Sequence, residues 1–328
     1  MIYNAGITGI GISVPNKILT NHDLEEMVET SNEWIITRTG IKERRIVNSD
    51  EAASDLSTDA AKKALQMAKI NAEEVDLIIV CTVTPDMMYP STAALVQNNI
   101  GANKAAAFDL SAGCTGFIYG VTVATQFINS GFYKNILVIG CDILSKVTDF
   151  TNRNTCVLFG DGAGAVVISR TEDVGVIDAY IKADGSGGEY LYLPAGGSRM
   201  PASIDTVNQK LHYTFMNGTE VFKFAVKAMP EAVNCVLEKS NCNIDEIDYF
   251  IPHQANIRII ESATKRLGIP MDKIGITIDK YGNMSSASIP VTLFEAYADG
   301  KIKKGNKVIL VGFGAGLTYG SVLLNWLL

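Results

Sequence analysis

The sequence predicts an α/β protein built as a layered sandwich of two similarly folded halves. Three observations carry this expectation. Short continuous apolar runs read as buried strands, helical periodicities lie between them, and one order of elements occurs twice. The runs Leu77-Ile78-Ile79-Val80-Cys81 and Val308-Ile309-Leu310-Val311 are far too short to cross a bilayer. They read as strands of a parallel sheet covered on both faces.

The repeat is visible residue by residue. Ala60–Ala68 reads as a helix leading through the acidic turn Asn71-Ala72-Glu73-Glu74 to the strand at 77–80. Met229–Leu237 leads in the same way through Asn243-Ile244-Asp245-Glu246 to Tyr249-Phe250-Ile251-Pro252. A second echo pairs Ile136-Leu137-Val138-Ile139-Gly140 with Val308-Ile309-Leu310-Val311-Gly312. The boundary between halves is expected at 170–175, giving segments 1–172 and 173–328. Residues 184–218 are Gly-rich with little periodicity, and read either as a lid or binding loop or as a surface insertion.

Composition narrows the function classes. The chain has 328 residues, 47% of them apolar, enough for a substantial core, and a net charge of −7 that argues against nucleic-acid binding. The start Met1-Ile2-Tyr3-Asn4-Ala5-Gly6 lacks signal-peptide character, so a soluble, cytoplasmic protein is expected. Six cysteines (81, 114, 141, 156, 235, 242) form no Cys-x-x-Cys pair and suggest reduced thiols. The clusters Gly160–Ala165 and Gly312–Gly316 fail the Gly-x-Gly-x-x-Gly spacing and read as tight turns, and no Walker-type sequence occurs.

Cys114 is the best nucleophile candidate. Ala105–Phe108 leads into Asp109–Phe117, and Phe117, Val121, Ala124 and Ile128 continue on one helical face up to Gly131. The cysteine therefore sits on a strand-to-helix turn, where the helix dipole and free amides favour thiolate. A small buried cysteine filling that junction is the alternative. His253, in Ile251-Pro252-His253-Gln254, follows a predicted strand, where α/β proteins place their chemistry. Asn283 follows Gly282 in a loop whose serines (285, 286, 288) can cap the next helix, with Pro290 in its first turn. Alone, each reads equally as a structural residue.

Together these motifs, in order, resemble the β-ketoacyl-acyl carrier protein synthase III family, which starts fatty acid synthesis on a thiolase-type fold. The motifs are Ser-Ala-x-Cys-x-Gly-Phe, Pro-His-Gln-Ala-Asn and Gly-Asn-x-Ser-Ser-Ala-Ser-x-Pro. The resemblance spans essentially the whole chain and includes Glu33–Ile41, Phe159–Ala165 and Gly312–Gly320. It implies a thiolase-like αβαβα sandwich of two duplicated halves, the first carrying the cysteine and the second the histidine and asparagine.

The resemblance also implies site roles. Cys114 is the acylated nucleophile, His253 and Asn283 are its partners, and the backbone amides of Cys114 and Ala315 form the oxyanion hole. Trp34, Arg38, Arg153 and Asn256 match coenzyme A contacts. Gln254, Ala255, Asn256, Ile257, Arg258, Lys223, Lys265 and Arg266 match the carrier-protein surface, and Tyr89, Leu144, Phe159 and Leu191 the acyl pocket. The family commonly has three glycines where this chain has Gly314-Ala315-Gly316. The expected reaction joins a primer acyl-CoA to malonyl-carrier protein through an acyl-cysteine, with no metal or other cofactor, in a homodimer. Elongating synthases use two histidines and thiolases a second cysteine, and neither pattern is present. An acyltransferase of secondary metabolism using the same acyl-cysteine is the rival reading. Met87, Met88 and Tyr89 fall where the family shapes the far end of the acyl pocket, partly across a dimer interface.

Overall fold

Apolar runs that no single helix face can cover become strands buried on both sides, and two sheets form around them. The computed structural model describes residues 2–328. The first sheet has the order β1-β7-β6-β4-β5, from β1 (Asn4–Ser13), β4 (Leu77–Cys81), β5 (Ala106–Leu110), β6 (Asn135–Ile143) and β7 (Asp161–Thr171). The second has the order β11-β12-β13-β8, from β8 (Val176–Ala183), β11 (Tyr249–Pro252), β12 (Lys307–Gly314) and β13 (Thr318–Asn325). In each sheet the central strand, β6 or β12, pairs parallel with β4 or β11 and antiparallel with β7 or β13.

Five layers result. Helices α3 (Ala53–Ala68) and α4 (Thr92–Ile100) cover the outer face of the first sheet, where Ala60, Ala61 and Ala64 pack on Val80, Ile139 and Val167. Helices α8 (Gly218–Ser240) and α9 (Ile257–Leu267) cover the second sheet, with Ala225, Met229 and Ile260 against Ile309 and Val311. Between the sheets lie α5 (Gly116–Asn129) and α11 (Ser288–Ala298), whose Phe117, Val121, Ile289 and Leu293 belong to one core with residues of both sheets. Shorter pieces frame this sandwich. They are the hairpin β2 (Ile18–Thr20) with β3 (Glu43–Arg45), and the helices α1 (Asn21–Glu25), α2 (Asn32–Thr39), α6 (Arg153–Cys156), α7 (Ile204–Asn208) and α10 (Ile278–Tyr281).

The sequence echo is repeated in hydrogen bonds. Glu74 and Glu246 each accept from the backbone N–H three residues earlier, at Asn71 and Asn243. Asp76 accepts from Asn135 N–H and Asp248 from Lys307 N–H, joining the strand of each acidic turn to its central neighbour. The second sheet lacks a full counterpart of β5. An isolated parallel bridge between Phe250 and Ile274 stands there instead.

Two local expectations are corrected. The cluster Gly160–Ala165 is mostly strand β7 rather than a tight turn, and its glycines make room for the catalytic-loop side of the molecule. A Cβ at Gly164 would lie 2.7 Å from Pro290, and one at Gly162 would lie 2.6 Å from the Met284 sulfur. Residues 184–218 are not a bare loop. They hold a short 3-10 turn, the small hairpin β9 (Leu191–Tyr192) with β10 (Phe215–Met216), and α7.

Candidate active site

Cys114 occupies a 3-10 turn, Gly113–Thr115, between β5 and α5. Gly113 has φ +57°, and a Cβ there would lie 2.7 Å from the Ala315 nitrogen, so this turn requires glycine. The β12–β13 turn is tied to it by Thr318 Oγ1, 2.8 Å from the Ala112 carbonyl oxygen and 3.0 Å from that of Ala315. The Cys114 and Ala315 amides have no carbonyl acceptor among the described residues. Ala315 keeps a negative φ, so alanine fits where the family commonly has glycine.

Burial pushes Cys114 up to about 12, and the Asp142 carboxylate adds to this, while the Ser285 hydroxyl and the cysteine's own amide oppose it. Desolvation thus works against the thiolate character that the helix N-terminus favours.

His253 follows β11 directly, and its N–H donates to Val311 O at 2.8 Å. It is 1% exposed, and neither ring nitrogen has a partner among the described residues. Its ring stands edge-on to Phe313, centroids 5.3 Å apart, one residue before the Gly314 that packs on Cys114. Burial pulls the imidazole down to about 3, so it is neutral at physiological pH and carries one N–H to donate. The other two histidines are elsewhere. His22 is exposed beside Glu25, and His212 lies 2.9 Å from Thr206 Oγ1.

Asn283 is held from both sides. Its N–H donates to Leu158 O at 2.9 Å, and its carbonyl accepts from Gly160 N–H at 3.0 Å. Its Oδ1 accepts from Ser285 N–H at 2.8 Å, which leaves the side-chain NH2 as the unengaged donor. The serines that follow do not cap α11. Its N-cap is Ala287, and the Ser286 hydroxyl instead contacts Asp142 and Cys81 O.

A cavity of about 170 Å³ opens at the thiol, lined by Cys114, Ser285 and Ala315 at one end and by apolar Val83, Leu144 and Phe159 at the other. Leu191, Tyr192, Leu193 and Thr214 complete the wall, so the 184–218 segment forms part of the site. His253 and Asn283 do not line this cavity themselves, but their neighbours in sequence or packing, Ser285 and the Gly314–Ala315 turn after Phe313, meet Cys114 or the cavity. Tyr89 is 86% exposed on the segment after β4 and does not line this cavity within one chain; the resemblance places it partly across a dimer interface. A second cavity of about 480 Å³ contains Trp34, Arg38, Asn256, Phe222, Lys223 and Arg258. The Arg153 guanidinium lies 4.0 Å from the Trp34 ring centroid beside it. Leu158 lines this cavity and Phe159 the first, so the segment paired with Asn283 divides them. A larger groove of about 540 Å³ between α5 and β8 contains no cysteine or histidine and lies away from all these residues.

The carrier-facing segment splits. Gln254 is fully buried, its amide donating to Pro252 O and Gly275 O and accepting from Thr277 and Ile278 N–H. It is an internal brace and cannot meet a partner protein. Asn256 caps α9, accepting from Arg258 N–H at 2.9 Å, and donates to Arg38 O at 3.0 Å. Ala255 and Ile257 are half-buried, and Arg258 and Lys265 are exposed. Arg266 spends one donor on Val226 O, and Lys223 pairs with Glu220 at 2.7 Å.

A profile for 3-oxoacyl-[acyl-carrier-protein (ACP)] synthase III matches residues 108–185, and one for its C-terminal part matches 237–326. The chain is 58% identical to the β-ketoacyl-[acyl-carrier-protein] synthase III of Caldanaerobacter subterraneus subsp. tengcongensis, across 98% of each protein. The chain belongs to the β-ketoacyl-[acyl-carrier-protein] synthase III family. A Clostridioides difficile synthase III is 54% identical over 99% of both chains. The crystal structure of the synthase III from Aquifex aeolicus VF5 superposes with a TM-score of 0.91 at 47% identity, covering 98% of this chain and 100% of that one. Like other synthases III, the chain is a condensing acyltransferase on the thiolase fold. No helix among the described residues is long and apolar enough to span a membrane.

Sequence reasoning missed Asp142, Ser285, Val83 and Thr84. The one signal for Asp142 was a carboxylate ending an otherwise apolar strand, Ile136–Ile143, at the C-terminal edge where such sheets carry chemistry.

Proposed function

We propose that Cys114, His253 and Asn283 catalyse a decarboxylative condensation between a primer acyl-CoA and malonyl-acyl carrier protein, starting fatty acid synthesis. The observation that carries this reading is a cysteine in the smaller of two cavities of different character, which the Leu158–Phe159 segment separates. One is small and apolar for the acyl chain, the other open and edged with Trp34, Arg38 and Arg153 for coenzyme A. The Cys114 sulfur attacks the thioester carbonyl, and the oxyanion meets the amides of Cys114 and Ala315. Coenzyme A leaves as the thiol, taking up the proton that Cys114 gives up, and an acyl-cysteine remains.

Malonyl-carrier protein then loses carbon dioxide, and its thioester oxygen becomes an enolate. Two neutral donors suit that charge, the His253 N–H and the Asn283 NH2. A histidine held near pKa 3 is a poor base and a good donor, and decarboxylation requires no base. The carbanion attacks the acyl-cysteine, a β-ketoacyl thioester forms, and a proton from solvent restores the thiol. The residues need no metal for any of these steps.

The primer cavity of about 170 Å³ is close to the roughly 150 Å³ apolar cavity that admits benzene. Acyl groups of about four to six carbons, straight or branched, fit it as well as acetyl. Homodimerisation agrees with β5 being an edge strand with Phe108 exposed, next to the exposed Met87, Met88 and Tyr89. Residues 1–172 and 173–328 act as two halves of one site. The test is a condensation assay with malonyl-carrier protein against acyl-CoA primers from two to eight carbons. Product with primers up to about six carbons supports the reading. Absence of product with every primer contradicts it.

A further inference from the structure

We infer that Asp142 is a positioning residue for the condensation, holding the turn that follows Asn283 against the wall of the acyl cavity. This rests on the proposed reaction at Cys114. Asp142 is fully buried at the C-terminal end of β6 and has no Lys, Arg or His partner among the described residues. Its two oxygens serve different segments. Oδ1 accepts from Val83 N–H at 2.8 Å, Thr84 Oγ1 at 3.0 Å and Thr82 Oγ1 at 3.1 Å. Oδ2 accepts from Ser286 N–H at 3.1 Å and lies 2.8 Å from Ser286 Oγ, whose single proton it shares with Cys81 O at 2.7 Å. Val83 and Thr84 line the acyl cavity, and Ser285, between Asn283 and Ser286, lines it from the other side beside Cys114. One carboxylate therefore joins the two walls that flank the thiol.

The turn needs such a hold. Ser285 has φ +48°, a left-handed conformation that a serine keeps only where its surroundings fix it. Asn283 Oδ1 fixes it from one side through Ser285 N–H, and Asp142 fixes it from the other through Ser286 N–H and a hydroxyl contact shared with Cys81 O. Loosening the second anchor frees the first, and with it the direction of the Asn283 NH2. The carboxylate is ill-suited to accept a substrate proton, since all its contacts are internal hydrogen bonds. Around it lie Cys81, Cys114 and Cys141, each raised by burial first and by Asp142 in addition.

The test compares full-length protein with Asp142→Asn and Ser286→Ala at a temperature where melting curves show each variant folded. Three rates are read: acyl-cysteine formation from acetyl-CoA, carbon dioxide release from malonyl-carrier protein, and alkylation of Cys114 by iodoacetamide against pH. Asp142→Asn keeps the shape but sets an NH2 against donors. It is expected to slow decarboxylation about 10²-fold, as a misplacement of about an ångström does, with a KM change under about threefold. Its alkylation profile shifts to lower pH, because a negative charge near the thiol is gone. Ser286→Ala keeps the carboxylate and one donor, and is expected to slow decarboxylation about 10-fold without that pH shift. Both variants decarboxylating within about threefold of the parent overturns the inference, even if their melting points fall. If Asp142→Asn does not fold, Ser286→Ala decides by the same criterion. Failure of the unmodified protein to condense any primer is a separate result, and contradicts the reaction itself.

Discussion

The two halves of the molecule use one plan for opposite ends. Cys114 is the middle residue of the 3-10 turn that opens α5, and Ser286 is the middle residue of the 3-10 turn that opens α11. The strands behind them correspond as well, since the echo of Ile136–Gly140 in Val308–Gly312 sets Asp142 against Gly314. In the second half the strand ends in a glycine that packs on Cys114, and a cavity opens beside the sulfur. In the first half the strand ends near a carboxylate that takes Ser286 N–H, while the one hydroxyl proton of Ser286 lies between that carboxylate and Cys81 O. The same turn is therefore reactive where its side chain is left free and structural where it is fully engaged. Reactivity follows from what the neighbouring strand end withholds, and fold alone does not confer it.

Replacing the free side chain breaks the comparison most severely. Cys114→Ala is expected to lower condensation by at least about 10³-fold, read as product from acetyl-CoA and malonyl-carrier protein. Adding Ser286→Cys to that variant restores nothing, because the second position has no cavity beside it. Asn283→Ala is the next largest. It removes one donor to the enolate and is expected to cost about 10²–10³-fold in condensation, while the burst of acylation by acyl-CoA is unchanged. An equal loss in both half-reactions contradicts the division of labour between the halves.

Much of this contrast was legible in the sequence, for a specific reason. Apolar runs such as Leu77–Cys81 and the repeated acidic turns are local patterns, so strands, helices and the duplication could be read directly. The turn around Cys114 was equally local. What the chain alone did not reveal depends on contacts across more than a hundred residues. Asp142 meets Ser286, Asn283 pairs with Leu158 and Gly160, and burial works against the expected thiolate character of Cys114. Gln254 was misread because the resemblance carried over a whole segment to the carrier-protein surface. Its amide instead satisfies four backbone groups inside.

Smaller effects sharpen the picture at the rim. Arg258 lines the cavity of Trp34 and Arg38, so its reversal disturbs coenzyme A and carrier protein together. Lys265 is exposed on α9 outside that cavity and separates them. Lys265→Glu is expected to raise KM for malonyl-carrier protein a few-fold, less at high salt, and to leave acylation unchanged. A separate effect is on stability against pH. His253 is held below its unfolded value, to about 3, so its neutral form stabilises the fold fully above about pH 6.5 and that contribution fades as pH falls toward 3. Melting points measured from pH 7 to pH 4 should fall more steeply for the parent than for His253→Gln. Parallel curves contradict a desolvated neutral histidine.

The central claim is that the one free turn, at Cys114, carries the acyl group between two substrates. Intact-protein mass spectrometry tests it most directly, with acetyl-CoA added first and malonyl-carrier protein second. The account predicts an acetyl adduct that maps to Cys114, then its disappearance as acetoacetyl-carrier protein forms. An adduct on another residue, or one on Cys114 that malonyl-carrier protein leaves in place, contradicts it.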